Sequence, residues 1–227
     1  KGDIFLIPDG GSPDGSLVEF AEKSLLWFQV DTMGRQSHAS MSDKGINAME
    51  AASVFISRFG EIRQKFGERD QRFQPALSSF EPTRRLENVG NINTIPGTDT
   101  FFVDCRILPC YSIAAVLAYF DAMKKRIEKE RKVKITIKVI QKEVATVTDP
   151  KNPLIQDMVK LVRDLFNVRP KVRGVGWGTC ASFVRQAGYP AVVWSKVAGT
   201  AHQPNEYASV CNLLDDAVLF AHAFLKL

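Results

Sequence analysis

The chain has 227 residues, 45% of them hydrophobic and 24% charged, a net charge of +5 and a mean hydropathy of -0.10. That composition is ordinary for a globular protein with one large or two small cores, and it argues against intrinsic disorder. No apolar run approaches the roughly 20 residues that a bilayer requires, so the expectation is a cytoplasmic protein that meets no membrane.

Lys1 is followed almost at once by the apolar run Ile4-Phe5-Leu6-Ile7, a strand-like opening that predicts a piece of something longer. Gly10, Gly11, Pro13 and Gly15 then form a loop. Two strands, near 16–21 and 25–32, are expected as a hairpin turning at Glu22-Lys23-Ser24. Residues 47–66 carry Ala48, Ala51, Ala52, Phe55, Ile56 and Phe59 at helical spacing, with Asn47 as N-cap and Gly67 as stop.

Short strands are predicted at 76–81 and 100–108. A helix capped by Ser112 follows as far as Lys132, and then a half-exposed strand over 133–139. From Leu25 the order is β-α-β-β-α-β, which predicts an α+β ferredoxin-like domain over 25–141. The remainder, 1–24 and 142–227, reads as α/β, with helices at 153–166, 180–187 and 213–227 and a strand at 191–194. The small domain thus looks inserted into a larger one that has few strands of its own.

The densest basic run, Lys124 to Lys134, interleaves Glu128 and Glu130 and reads as a solvated helix face, with no nucleic-acid partner expected. Phe101 and Phe102, being adjacent, point to opposite sheet faces, which also speaks against a nucleic-acid platform. A net positive field suits anionic small substrates. Cys105, Cys110, Cys180 and Cys211 include no C-x-x-C pair and are expected to be reduced and mostly buried.

Of the three histidines, His38 and His202 lie in polar loops and His222 in the last helix. Asp9 ends the opening strand, where ligands collect in open α/β sheets, although an Asx-turn role explains it equally well. Asn93 and Arg106 are thirteen positions apart across a turn and a strand. That spacing can set an amide beside a guanidinium to grip a carboxylate; alternatively Arg106 pairs with Asp104 or Asp99 on a sheet surface.

Six ordered segments run the length of the chain: Ile7-Pro-Asp-Gly, Gly34-Arg-Gln-Ser-His-Ala-Ser with Gly45-Ile-Asn-Ala48, Gly90-Asn-Ile-Asn-Thr-Ile-Pro96, Val103-Asp-Cys-Arg106, Gly178-Thr-Cys-Ala181 and Ala201-His-Gln-Pro-Asn-Glu206. Together they resemble the two-zinc metallopeptidase family of aminoacylase, acetylornithine deacetylase, succinyl-diaminopimelate desuccinylase and the glutamate-releasing carboxypeptidases.

The resemblance implies the C-terminal part of a two-zinc aminopeptidase-like catalytic domain carrying an inserted ferredoxin-like dimerisation lid. It implies zinc, or else cobalt or manganese, with Asp9 and His202 as one ligand for each of two metals. It also implies His38 reaching as oxyanion donor into the partner subunit's site, and Asn93, Arg106, Gly178 and Thr179 against substrate. The partners it implies are an N-acyl amino acid or short peptide and a second copy of the chain. The family's His-x-Asp pair, bridging Asp and Glu-Glu pair are not among these residues, so the expectation is that this chain alone is inactive. A non-catalytic dimerisation or binding module derived from the family is the alternative. Cys180 stands where many members carry Asp, and Ser42 where proline is expected.

Overall fold

A computed structural model describes residues 4–201 and 203–226. The chain divides into two compact units, one comprising residues up to Lys23 with Asp70–Ala76 and Ala145–Leu227, the other Ser24–Arg69 with Leu77–Val144.

In the first unit, β1 (Phe5–Ile7), β2 (Leu17–Glu22), β5 (Phe73–Gln74), β10 (Lys171–Val175) and β11 (Ala191–Val193) form one mixed sheet in the order β1-β11-β2-β10-β5. β1 runs parallel to β11, and β10 runs parallel to both β2 and β5, while β11 meets β2 antiparallel. Around the sheet lie α4 (Pro153–Phe166), α5 (Ala181–Gln186) and α6 (Val210–Lys226). Alternation along β11 settles which helix each residue meets. Ala191 and Val193 pack with Ala181 of α5, and Trp194 stacks on Phe166 of α4 at a ring-centroid distance of 5.4 Å.

The expected hairpin is not formed. β2 belongs to this sheet, whereas β3 (Ser24–Met33) belongs to the sheet of the second unit. The physical reason lies in the supposed turn: Glu22, Lys23 and Ser24 are buried, and none is a glycine or asparagine suited to a tight primed turn. β2 is instead covered on both faces, as its near-continuous apolar run Leu17-Val18 and Phe20-Ala21 suits. β10 was not expected, because Lys171 and Arg173 break its apolar pattern and Gly174 weakens it. That glycine is required: a Cβ on it would lie 2.4 Å from the Phe73 ring.

The second unit begins with β3 and continues through β4 (Ser37–His38), a 3-10 segment at Ala39–Lys44, α1 (Ala48–Ser57) and α2 (Phe59–Lys65). It then runs through β6 (Ser79–Arg85), β7 (Thr94–Ile95), β8 (Thr98–Ile107), α3 (Ile113–Arg131) and β9 (Lys134–Glu143). Its four-stranded sheet has the order β6-β8-β3-β9 with every neighbour antiparallel. Asn47 and Ser112 cap α1 and α3, their side chains accepting from Glu50 N at 3.1 Å and Ala115 N at 3.1 Å. The single helix expected over 47–66 is broken at Arg58, which turns Phe59 and Ile62 into the core.

Leu26, Phe28 and Val30 of β3 and Phe101, Val103, Cys105 and Ile107 of β8 bury one sheet face against Phe55, Phe59, Val116, Phe120, Met123 and Ile127 of the helices. The charged run on α3 is a paired surface: Arg126 bonds Glu61, Arg131 bonds Glu50 and Glu130 bonds Arg58. Such exposed pairs are screened by solvent and add little to stability. Of the four free cysteines only Cys105 is buried, against the expectation that most would be.

Phe120 sits at the centre of an aromatic cluster, with Phe28, Phe59 and Phe55 at 4.8, 5.5 and 6.2 Å between ring centroids. Phe120→Ala should therefore lower the unfolding free energy by about 3–5 kcal/mol in urea titration; a loss under 1 kcal/mol would show that this cluster does not hold the unit together.

Candidate metal and substrate site

Two motif loops meet at one end of the second unit. Gly34 N donates to Gly97 O at 2.8 Å, Arg35 and Ile46 exchange backbone bonds, and β4 pairs with β7 so that His38 faces Thr94. The glycines are there because the backbones touch. A Cβ on Gly34 would lie 2.1 Å from Ile46 O, and one on Gly97 would lie 2.9 Å from Gln36 N.

This interlock carries His38 and Asn93 as neighbours, with Ala39 N bonded to Asn93 O at 2.7 Å; both residues are exposed. The ring of His38 is oriented locally. Its Nδ1 lies 2.7 Å from Ser40 Oγ and 3.2 Å from Ser40 N; the backbone N–H can only donate, and with Nδ1 accepting from it the ring proton sits on Nε2. The result is an N–H donor on an exposed ring.

Arg106 is not brought beside Asn93. It lies near the far end of the ten-residue β8, opposite Leu25 of β3, while Asn93 precedes β7 at the other end. At about 3.4 Å per residue the strand alone holds them more than about 20 Å apart. Arg106 instead grips Asp104 through Nε at 2.8 Å and Nη2 at 2.9 Å, and it lies over the Trp27 ring. Of the two arrangements expected for Arg106, this is the pairing on the sheet surface.

In the first unit, Asp9 follows the end of β1 and lines a cavity of about 640 Å³ together with Gly10, Gly11, Trp177, Gly178, Ala201 and Glu206 among others. Gly11 is needed for this placement, since a Cβ there would come within 1.8 Å of Ser195 O. One Asp9 oxygen accepts from Cys180 N at 2.9 Å. Gly178 is exposed on the cavity wall, but Thr179 is buried and its hydroxyl donates to Glu22. His202, the other expected metal ligand, lies outside the described residues. Among the described residues no group of three or more His, Cys, Asp or Glu side chains is arranged to hold a metal.

Sequence reasoning missed the acids of β2. Residues 19 and 22 of a regular strand would point to opposite faces. A register shift sets Glu19 opposite Arg173 but Ala21 opposite Gly174, leaving Phe20 as an extra residue. Both glutamates are buried. Glu22 has Arg185 Nη1 at 3.2 Å as well as Thr179. Neither oxygen of Glu19 has a hydrogen-bond partner among the described residues, although the Trp177 indole lies close enough to favour its charge. The signal was available: two acids within a strand otherwise fit for burial.

Comparison with known proteins agrees with the motif pattern. Residues 20–132 match the peptidase dimerisation domain. The chain is 36% identical over 230 residues to an uncharacterized metallohydrolase of Methanocaldococcus jannaschii, covering 97% of this chain and 56% of the relative. It is 21% identical over 199 residues to a succinyl-diaminopimelate desuccinylase of a Nitratiruptor species, covering 86% and 51%. A tripeptidase structure from Staphylococcus aureus shares the fold, with a TM-score of 0.73 at 16% identity over 96% of this chain and 56% of that one. The chain spans about half the length of these relatives.

Burial, followed by the charge of Glu22, pushes the Glu19 carboxyl up to about 8. The folded state then holds a proton that the unfolded chain releases near pH 4.5. Stability therefore falls as pH rises between about 4.5 and 8. Glu19→Gln should leave the metal-free thermal midpoint nearly unchanged at pH 5 and raise it at pH 8.5; an equal change at both pH values would show that Glu19 is not held protonated.

Proposed function

We propose that this chain, which belongs to the metallohydrolase family of the desuccinylases and their peptidase relatives, forms part of a metal-dependent hydrolase acting on amide bonds of N-acyl amino acids or short peptides. The observation that carries this reading is the Asp9 carboxylate, exposed on the cavity wall, with the buried Glu19 carboxyl packed against the neighbouring Gly10. An exposed carboxylate with a second carboxyl buried beside it suits a divalent cation.

Asp9 would be a ligand of one metal and His202 a ligand of a second. Zinc takes carboxylate and imidazole ligands together, and cobalt or manganese accept the same donors. When bound, such a metal supplies Lewis acidity toward the amide carbonyl and toward water. One protein ligand for each metal is fewer than the three or four that zinc sites use, so affinity in this chain is weak and turnover by it alone is not expected.

The chain's own residues do the rest. The Nε2–H of His38 is a donor for charge developing on the amide oxygen, an interaction whose loss costs about 100- to 1,000-fold in rate. His38 acts in the site of a second copy, across a homodimer formed by the dimerisation unit. Asn93 reaches the substrate's carboxylate from the same loop pair. Arg106 contributes separately, from the opposite end of β8 and after release from Asp104. Gly178 leaves backbone open to substrate on the cavity wall.

Chelator competition should show Zn2+ binding by this chain that Asp9→Asn weakens roughly tenfold or more. In a chain that also carries the remaining length of its relatives, hydrolysis of N-acyl amino acids or dipeptides should vanish on metal removal and return with Zn2+. Zn2+ binding indifferent to Asp9→Asn contradicts the reading, as does hydrolysis that survives metal removal.

A further inference from the structure

A chain of buried contacts runs from the middle of the first unit to the Asp9 carboxylate. Arg185 of α5 is enclosed: its Nε meets Thr148 Oγ1 at 3.2 Å, its Nη2 meets Ala191 O at 3.0 Å and its Nη1 meets Glu22 at 3.2 Å. The same Glu22 oxygen accepts from the Thr179 hydroxyl. That hydroxyl oxygen accepts in turn from Ala181 N at 3.2 Å, and Thr179 O takes Ser182 Oγ at 3.0 Å. Cys180 lies between these bonded residues, and its N–H carries Asp9.

The cost of the arrangement is informative. Arg185, Glu22 and Thr179 are each nine-tenths buried or more, and a buried ion pair is expensive to keep where apolar packing would serve as well. α5 is only six residues long and its N-cap, Cys180, makes no side-chain capping bond, so the turn before it needs an outside tether. Glu22 provides that tether by gripping Thr179 and Arg185 together, one on each side of the Cys180 N–H.

We propose that Thr179, Glu22 and Arg185 are positioning residues for Asp9, fixing the 178–181 turn so that the Cys180 N–H holds the Asp9 carboxylate in metal-binding orientation. This rests on the reading of Asp9 as a metal ligand. Outer partners of a metal ligand set its orientation and so its affinity.

The test compares Thr179→Val, which keeps the shape and removes the hydroxyl, with Thr179→Ser, which keeps the hydroxyl. Each is made with Asp9 intact and with Asp9→Asn. Two quantities are read in this chain: the amide 1H–15N signal of Cys180 without metal, and the affinity for Zn2+ by chelator competition. Thr179→Val should shift the Cys180 signal and weaken Zn2+ about tenfold or more. Thr179→Ser should restore both, and in the Asp9→Asn background Thr179→Val should weaken Zn2+ no further.

Equal losses for the two Thr179 variants overturn the proposal, as does a Thr179→Val effect of the same size in both backgrounds, because a general structural defect would be additive. Zn2+ affinity unmoved by Asp9→Asn alone overturns the ligand reading and this inference with it, whereas an unmoved Cys180 signal in Thr179→Val overturns the positioning alone. If Thr179→Val does not fold, Glu22→Gln replaces it, with the same Cys180 shift expected and an unshifted signal overturning the proposal.

Discussion

The Asp9 carboxylate rests on a backbone donor, the Cys180 N–H, and much of the first unit is arranged around that contact. β1 must end where its next residues can press against Ser195 just after β11, which is why Gly11 carries no side chain. The turn before α5 must present its amide, which requires Thr179, Glu22 and Arg185 in one buried group. Glu22 can join Glu19 on one side of β2 only because the extra residue Phe20 shifts the register. The buried Glu19 carboxyl, which makes no hydrogen bond among the described residues, is the unfavourable feature in this set, and it lies beside the residue read as a metal ligand.

The second unit solves a different problem, the display of polar groups at the end of a sheet. Its core is an aromatic layer between sheet and helices, insulated from the residues that carry chemistry. At the displaying end, short glycine-dependent loops clasp one another, so His38 and Asn93 are placed by backbone contacts and not by side-chain packing. The Ser40 amide then selects the histidine tautomer. Rigid placement of an N–H donor is what stabilisation of a developing oxyanion demands, because a donor already oriented loses little on reaction.

Much of this was legible in the sequence. Helix caps at Asn47 and Ser112 are local interactions and were read directly, and the β-α-β-β-α-β order follows from periodicity. The family was legible because six short segments occur in one order. The missed features depend on tertiary contact. β2 and β3 looked like a hairpin because adjacency in sequence resembles adjacency in a sheet, and only burial of Glu22-Lys23-Ser24 separates them. Asn93 and Arg106 looked adjacent because the length of β8 between them was not weighed. The bond between Thr179 and Glu22 was not legible, because a motif carries no information about a buried partner elsewhere in the chain.

Crystals of the chain grown with Zn2+, with anomalous diffraction recorded at the zinc edge, test the central claim most directly. The account predicts an anomalous peak in the cavity at about 2.0–2.2 Å from an Asp9 oxygen, the zinc–carboxylate distance, with the Cys180 N–H still bonded to that carboxylate. Zinc bound elsewhere, with Asp9 contacting no metal, would contradict it.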